Sequence, residues 1–414
     1  MTSSQKTMQV NRRQFVAGSL ATLTALPMVA RAGGSFAGTT PDALIVLFMR
    51  GGMDGLTLCP RHLEDDLINA RPNIAVPKPG IGSPTIDLDG KFAFPIEAFD
   101  LLTPWAANDL AVVHAVGSPD PTHSHFEAFV RMEFGIPLQP LGSQTTGWLA
   151  RHLQDTPAVG NGLLRAINVD ARMSQTLAGS PATLPIPDLS DFDLEGDPLT
   201  AAQRKLVLAA MHSDEPAPVG PAGLDSIEAI ELLKSIDFDA YAAAHGAAYP
   251  LTTLGSGMLQ TAALLDAAES DTSLAPDAVM LELGGWDAHV AASFATTMTN
   301  ITELSMALKA FYNDTIGLTR NVTVVVMSEF GRRVQENNSL GVDHGAGNAM
   351  LLMGRGINGG LVHSDWPGLV APDLEARWDY RDILSEVLHL RMGNTNLGNV
   401  FPGGYVPTFR GVTV

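Results

Sequence analysis

The sequence contains a single cysteine, Cys59, in 414 residues, so no intramolecular disulfide can form and a disulfide-stapled scaffold is excluded. Basic residues are also scarce: 25 Lys and Arg stand against 44 Asp and Glu, a formal charge of −19. That balance argues against a nucleic-acid partner, because the phosphate backbone is bound by clustered cations. After the first 32 residues no apolar run approaches the ~20 residues of a membrane-spanning helix, so no stable span is expected in the mature chain. A G-x-S-x-G turn is missing as well, which counts against an α/β-hydrolase serine site. What remains is 45% apolar residues in a chain long enough to bury a full core.

The N-terminus carries an export pattern. Asn11-Arg12-Arg13-Gln14-Phe15-Val16 sets twin arginines before an apolar stretch that Pro27 interrupts and Ala30-Arg31-Ala32 closes as a small-x-small cleavage site. Too short and broken for a membrane anchor, residues 1–32 read as a twin-arginine (Tat) signal, with the Tat machinery as partner and the periplasm or exterior as destination. Cleavage after Ala32 removes Lys6, Arg12, Arg13 and Arg31 but no acid, taking the formal charge from −19 to −23.

In the mature chain, apolar runs at 43–49, 110–116, 163–169, 278–283, 321–327 and 349–353 read as strands, several closing on polar, glycine-containing turns. Helical spacing occupies 94–107, 126–134, 144–154, 294–312 and 381–390. Alternating strands and helices predict an α/β fold with a mainly parallel sheet between helical layers, and chemistry at the strands' carboxyl ends. Residues 41–412 read as one domain, in which 181–270 is a Pro/Asp-rich linker plus a helical insertion.

Five polar clusters follow strands or open helices. Asp54 lies in Arg50-Gly51-Gly52-Met53-Asp54-Gly55, as a metal ligand or as an Asx turn. Ser124, in Thr122-His123-Ser124-His125-Phe126-Glu127, is either a nucleophile at a helix N-terminus or half of a capping box with Glu127. Asp287 and His289 in Gly284-Gly285-Trp286-Asp287-Ala288-His289 pair a hard oxygen with an imidazole, or cap a helix. Glu329 and Arg332 in Ser328-Glu329-Phe330-Gly331-Arg332-Arg333 offer a ligand and an anion clamp, or a plain ion pair. Asp343-His344-Gly345 completes the series. Gathered at one edge of a sheet, these groups suit a metal-assisted ester hydrolase.

The same motifs, with Gly147-Trp148-Leu149, resemble a Tat-exported bacterial family catalogued as domain of unknown function 1501, in the alkaline phosphatase/sulfatase superfamily. The resemblance runs from about residue 43 to 403 and implies a three-layer α/β/α alkaline-phosphatase-like core. It implies one or two divalent ions, zinc or manganese, held by Asp54, Asp287, His289, Glu329 and His344. Ser124 would be the nucleophile and Arg332 would orient a small anionic ester of phosphate or sulfate. This sequence departs from the superfamily at Phe330, which stands where a ligand histidine is expected, and His123 or His125 would have to fill that position. Cys59-Pro60-Arg61 matches the sulfatase motif only superficially, so formylglycine chemistry is not implied. Phe330 also motivates an alternative: a catalytically reduced or inactive envelope binding protein that keeps the fold. Replacing Arg12 and Arg13 together by Lys is expected to keep the precursor in the cytoplasm. Cell fractionation reads this, and unchanged export would remove the twin-arginine reading.

Overall fold

The structure, a computed structural model, describes residues 40–414 apart from 64, 195, 370 and 371. The twin-arginine segment and the cleavage point at Ala32 lie outside the described residues. The strands that build the site are β1 (Ala43–Met49), β2 (Leu110–Gly117), β3 (Ala166–Asn168), β4 (Thr183–Pro185), β5 (Ala278–Leu283), β6 (Val322–Met327), β7 (Arg332–Glu336), β8 (Val342–His344), β9 (Asn348–Met353), β10 (Leu361–His363) and β11 (Trp378–Asp379). The principal helices are α1 (His125–Glu133), α2 (Trp148–Asp155), α3 (Ala201–Ser213), α4 (Val219–Lys234), α5 (Thr253–Ser270), α6 (Ala291–Thr315) and α7 (Tyr380–Leu390).

Nine strands form one sheet in the order β10-β2-β9-β6-β1-β5-β3-β4, with β11 beside β2. Every pairing in it is parallel except those of β9, which runs antiparallel to β2 and β6. The exception follows from the connection. After β6 the chain turns into the antiparallel β7–β8 hairpin at the sheet's carboxyl edge and re-enters from that edge, so β9 can only run backwards.

All seven residues of β1 are buried, as its uninterrupted apolar run requires of a central strand. Its alternate side chains serve two cores. Ile45, Leu47 and Met49 pack with Leu254, Met258 and Ala262 of α5 and with Ile301, Leu304 and Leu308 of α6. Leu44, Val46 and Phe48 pack with Trp148, Leu149 and Leu153 of α2 and with Ile383, Leu384 and Val387 of α7. Each such side chain contributes ~1.5–3 kcal/mol on burial. The predicted three-layer α/β/α arrangement with a mainly parallel sheet is therefore what the structure shows.

Some predicted boundaries shift. The helix expected over 94–107 is a 3-10 segment, Ile96–Leu101, leading into an α-turn, Leu102–Ala106, because Pro95 fixes the entry. The helix expected from 144 starts only at Trp148, where a side chain on Gly147 would strike the carbonyl of Thr176. Within 181–270, β4 joins the sheet beside β3 and α5 covers one face, whereas α3 has no buried residue. No helix among the described residues is long and apolar enough to cross a membrane.

His114, fully buried in β2, shows how this core treats ionisable groups. Its Nε2 lies 3.0 Å from the Cys59 carbonyl and its Nδ1 accepts the Ala115 N–H at 2.8 Å, so a second proton has no place. Burial pushes its pKa down to about 4, against 6.5 in an open chain. Between those values the unfolded state binds a proton that the folded state refuses, so stability falls as pH drops from 6.5 towards 4, by up to roughly 3 kcal/mol for this group. Urea midpoints across that window should fall more steeply for the wild type than for His114→Gln. Parallel curves would exclude a neutral buried imidazole.

Candidate metal centre

Because β1 lies between β5 and β6, the turns after these three strands meet at the carboxyl edge of the sheet. The turn after β1 needs its glycines. Gly51 has φ +114 and a Cβ there would sit 2.8 Å from the Asp287 nitrogen, while a Cβ on Gly52, at φ +68, would enter the Phe330 ring. The backbone of the β1 turn thus presses directly against the segments that carry Asp287 and Phe330.

A group able to hold a metal ion forms where these turns meet α1: His125, Asp287 and His344 each offer a ligand atom, all within 4.8 Å of one another. His289 adjoins them. Asp287 Oδ1 is the hub, 3.0 Å from His289 Nε2, 3.1 Å from His344 Nε2 and 3.4 Å from His125 Nε2. On its other side it accepts from Arg332 Nη2 at 2.8 Å. Every imidazole has its Nδ1 turned to an acceptor: His125 to Glu329 Oε1 at 2.7 Å, His289 to Asp343 Oδ1 at 3.1 Å, and His344 to the His123 carbonyl at 2.6 Å. A carbonyl or carboxylate only accepts, so each Nδ1 carries a proton, and in the neutral ring Nε2 is then the lone pair that faces the centre.

That arrangement has a cost that a cation removes. His289 Nε2 and His344 Nε2 lie 2.8 Å apart beside the Asp287 carboxylate, so either one ring takes an extra proton to donate to the other or a cation lies between them. His125 Nε2 is buried without a hydrogen-bond partner. Three imidazole nitrogens and one carboxylate oxygen are a donor set for a borderline transition ion such as Zn²⁺, and each nitrogen has the outer partner that metal-bound histidines require. The residues present therefore fit the group that the motifs imply. The side chains of Asp287 and His289 are 50% and 39% exposed, so the centre opens to solvent.

The same contacts set the charges of these groups. Partial burial alone would raise the Asp287 pKa, but the Arg332 hydrogen bond and charge, with His344 and His289, hold it well below the usual carboxylate range. Burial lowers His344, aided by the charges of Arg332 and His125. For His125, burial pulls downward and is outweighed by Glu329 and Asp287, so its pKa is raised, and without a cation the ring takes a second proton on Nε2 more readily than a free imidazole does. Asn337 hydrogen-bonds Asp343 and, with His289, keeps it ionised.

Several expected roles require correction. Asp54 is no ligand here: at 1% exposure its carboxylate pairs with Arg71 at 2.6 Å and accepts from Thr57 Oγ1 at 2.7 Å. Glu329, also expected as a ligand, turns its oxygens to His125, Gly51 N–H and Ser328. Arg332 is fully buried, donating to the carbonyls of Gly51, Gly52, Trp286 and Val342 as well as to Asp287, so its guanidinium has no face for an anion. The ring of His123 points to Asp373, 3.7 Å away, and only its carbonyl serves the centre. Of the two histidines expected to fill the position that Phe330 leaves short, it is His125 that faces the centre, and Phe330 packs against the rings of His125 and His344 with centroids 4.7 and 4.8 Å apart.

The plainer alternatives also fail in part. Ser124 is the N-cap of α1, yet its side chain makes no capping bond, and Glu127 lies towards Arg131 at 3.9 Å. The N-cap of α6 is Val290, not Asp287. Arg71 belongs to no sequence motif and no signal marked it.

Comparison with known proteins bears on the same segments. Residues 267–397, which carry Asp287, His289, Glu329, Arg332 and His344, match the model of a family described as a protein of unknown function (DUF1501). No curated protein matches the chain. Among solved structures, the alkaline phosphatase from the Antarctic bacterium TAB5 is similar at 12% identity and a TM-score of 0.30, over 77% of this chain and 93% of that chain.

Removing one partner of a buried ion pair leaves an uncompensated charge, at a cost of about 3–5 kcal/mol. Asp54→Ala should lose about that much stability in urea denaturation, while the folded fraction keeps its metal content. Metal loss at unchanged stability would restore Asp54 as a ligand.

Proposed function

We propose that this chain is a metal-dependent hydrolase of phosphate or sulfate esters, exported to the cell envelope, with His125, Asp287, His289 and His344 as the metal-holding set. The observation that supports this is the convergence of three imidazole Nε2 atoms on one carboxylate oxygen, each ring fixed from behind by an acceptor. A bound zinc or manganese ion would polarise the ester and lower the pKa of a nearby hydroxyl. Arg332 fixes Asp287 in place and touches no substrate.

Ser124 is the nucleophile we favour. It directly precedes His125, is half-buried, and stands at the N-terminus of nine-residue α1 with no side-chain capping bond to hold its hydroxyl. The N–H groups of the first turn, otherwise unpaired, lie where negative charge would develop on an attacked ester. Three neutral imidazoles and one carboxylate leave a divalent ion with net positive charge, which would meet an anionic ester without help from Arg332.

Metal analysis of the purified protein should find at least one zinc or manganese ion per chain, and aryl phosphates, phosphodiesters and aryl sulfates should include a substrate. Ser124→Ala should lower its turnover by a factor on the order of 100 or more, with metal content retained. Absence of bound metal, or unchanged turnover in Ser124→Ala, would overturn the mechanism. Metal binding without turnover of any ester would favour the non-catalytic binding protein.

A further inference from the structure

We infer that Glu329 is a positioning residue: it holds His125 with Nδ1 protonated, so that Nε2 is offered to the metal, and does not bind the ion itself. This rests on the metal centre proposed above and assigns Glu329 a task within it. Glu329 is 1% exposed, and both of its oxygens are committed. Oε1 accepts from His125 Nδ1 at 2.7 Å and from the Gly51 N–H at 2.9 Å, and Oε2 lies 2.9 Å from Ser328 Oγ. Ser328 Oγ is in turn 2.7 Å from the Met49 carbonyl and accepts the Met53 N–H at 2.9 Å. The carboxylate is thereby locked between the end of β1 and the end of β6, two adjacent strands of the sheet.

His125 depends on this carboxylate more than the other histidines depend on their partners. Its ring lies between Phe129 and Phe330, at centroid distances of 5.8 and 4.7 Å, and neither offers an acceptor. His344 takes a backbone carbonyl that no substitution removes, and Asp343 behind His289 has a side chain that is 45% exposed, where water can replace it. Without Glu329, the proton of His125 has no reason to stay on Nδ1. Once it moves to Nε2, the lone pair that faces Asp287 is lost.

The test combines two measurements on wild type, Glu329→Gln, Glu329→Ala and His344→Ala. One is affinity for Zn²⁺ and for Mn²⁺ by chelator competition; the other is the nitrogen-15 spectrum of the His125 ring in the metal-free protein, taken at a pH high enough for the ring to be neutral. Glu329→Ala should bind metal about 10–100-fold more weakly and show His125 Nε2 changed from a lone-pair to a protonated nitrogen. Glu329→Gln keeps the side-chain volume and an amide oxygen that can accept, so it should fold and fall between Ala and wild type. His344→Ala, which deletes a ligand, should lose more affinity than either. Loss in Glu329→Ala equal to that in His344→Ala would make Glu329 a ligand and overturn the inference. Unchanged affinity and tautomer in Glu329→Gln and Glu329→Ala would overturn it too. A wild type that binds neither ion defeats the proposed function, while the metal-free spectrum still decides the role of Glu329.

Discussion

The buried guanidinium of Arg332 is the constraint on which the site depends. A side chain with 0% exposure cannot leave a permanent charge without partners, and Arg332 finds them on three separate turns. It takes the Gly51 and Gly52 carbonyls after β1, the Trp286 carbonyl and Asp287 carboxylate after β5, and the Val342 carbonyl at β8. The parallel sheet brings the ends of these strands close together, and Arg332 fixes the distance between their turns. Asp287 is therefore positioned before any ligand arrives, because its orientation is set by a group that cannot deprotonate.

A second layer of acceptors does the same for the imidazoles. Glu329, Asp343 and the His123 carbonyl come from the β6 turn, β8 and the segment before α1, so each ring is oriented from behind by backbone whose position the fold already determines. The Nε2 atoms are then brought together around Asp287 in space open to solvent. Preorganisation of this kind raises the free energy of the empty centre and lowers the penalty for binding, which is the arrangement expected of a site built for a cation.

Much of this was legible in the sequence, and the failures share one cause. The apolar runs gave the strands, and their polar termini gave the turns, because a parallel sheet places its functional loops after its strands. Asp287, His289 and His344 could be read from motifs because their chemistry and their placement coincide. Asp54 and Glu329 misled because a carboxylate after a strand serves equally as a ligand or as the acceptor for a neighbouring cation or imidazole. The choice depends on partners far away in the chain: Arg71 for Asp54, and His125, 204 residues before it, for Glu329. Arg332 lies beside Asp287 as its motif suggested, but local sequence cannot show that it points inward. Its neighbour Arg333 has the same composition of flanks and is half-exposed, with a carboxylate only at 3.8 Å.

The net acidity of the chain sharpens the same point. A field from −19 charges would repel the anionic ester of the proposed function at long range, so electrostatic steering would not draw it in. Two of the arginines near the site do not compensate. Arg332 is sealed by carbonyls, and Arg50 is held by Glu133 and Glu282 while its guanidinium stacks on Phe48 and Phe129. What would attract an anion is a short-range charge inside the mouth of the centre, and among the described residues the one carboxylate in direct contact with the three Nε2 atoms is already neutralised from behind by Arg332. The donor set contributes little negative charge of its own. A divalent ion held there would keep most of its positive charge, directed to the solvent side where Asp287 and His289 are exposed. On the proposed function, attraction for an anionic ester would come from a cation held at this centre and not from the net field of the chain.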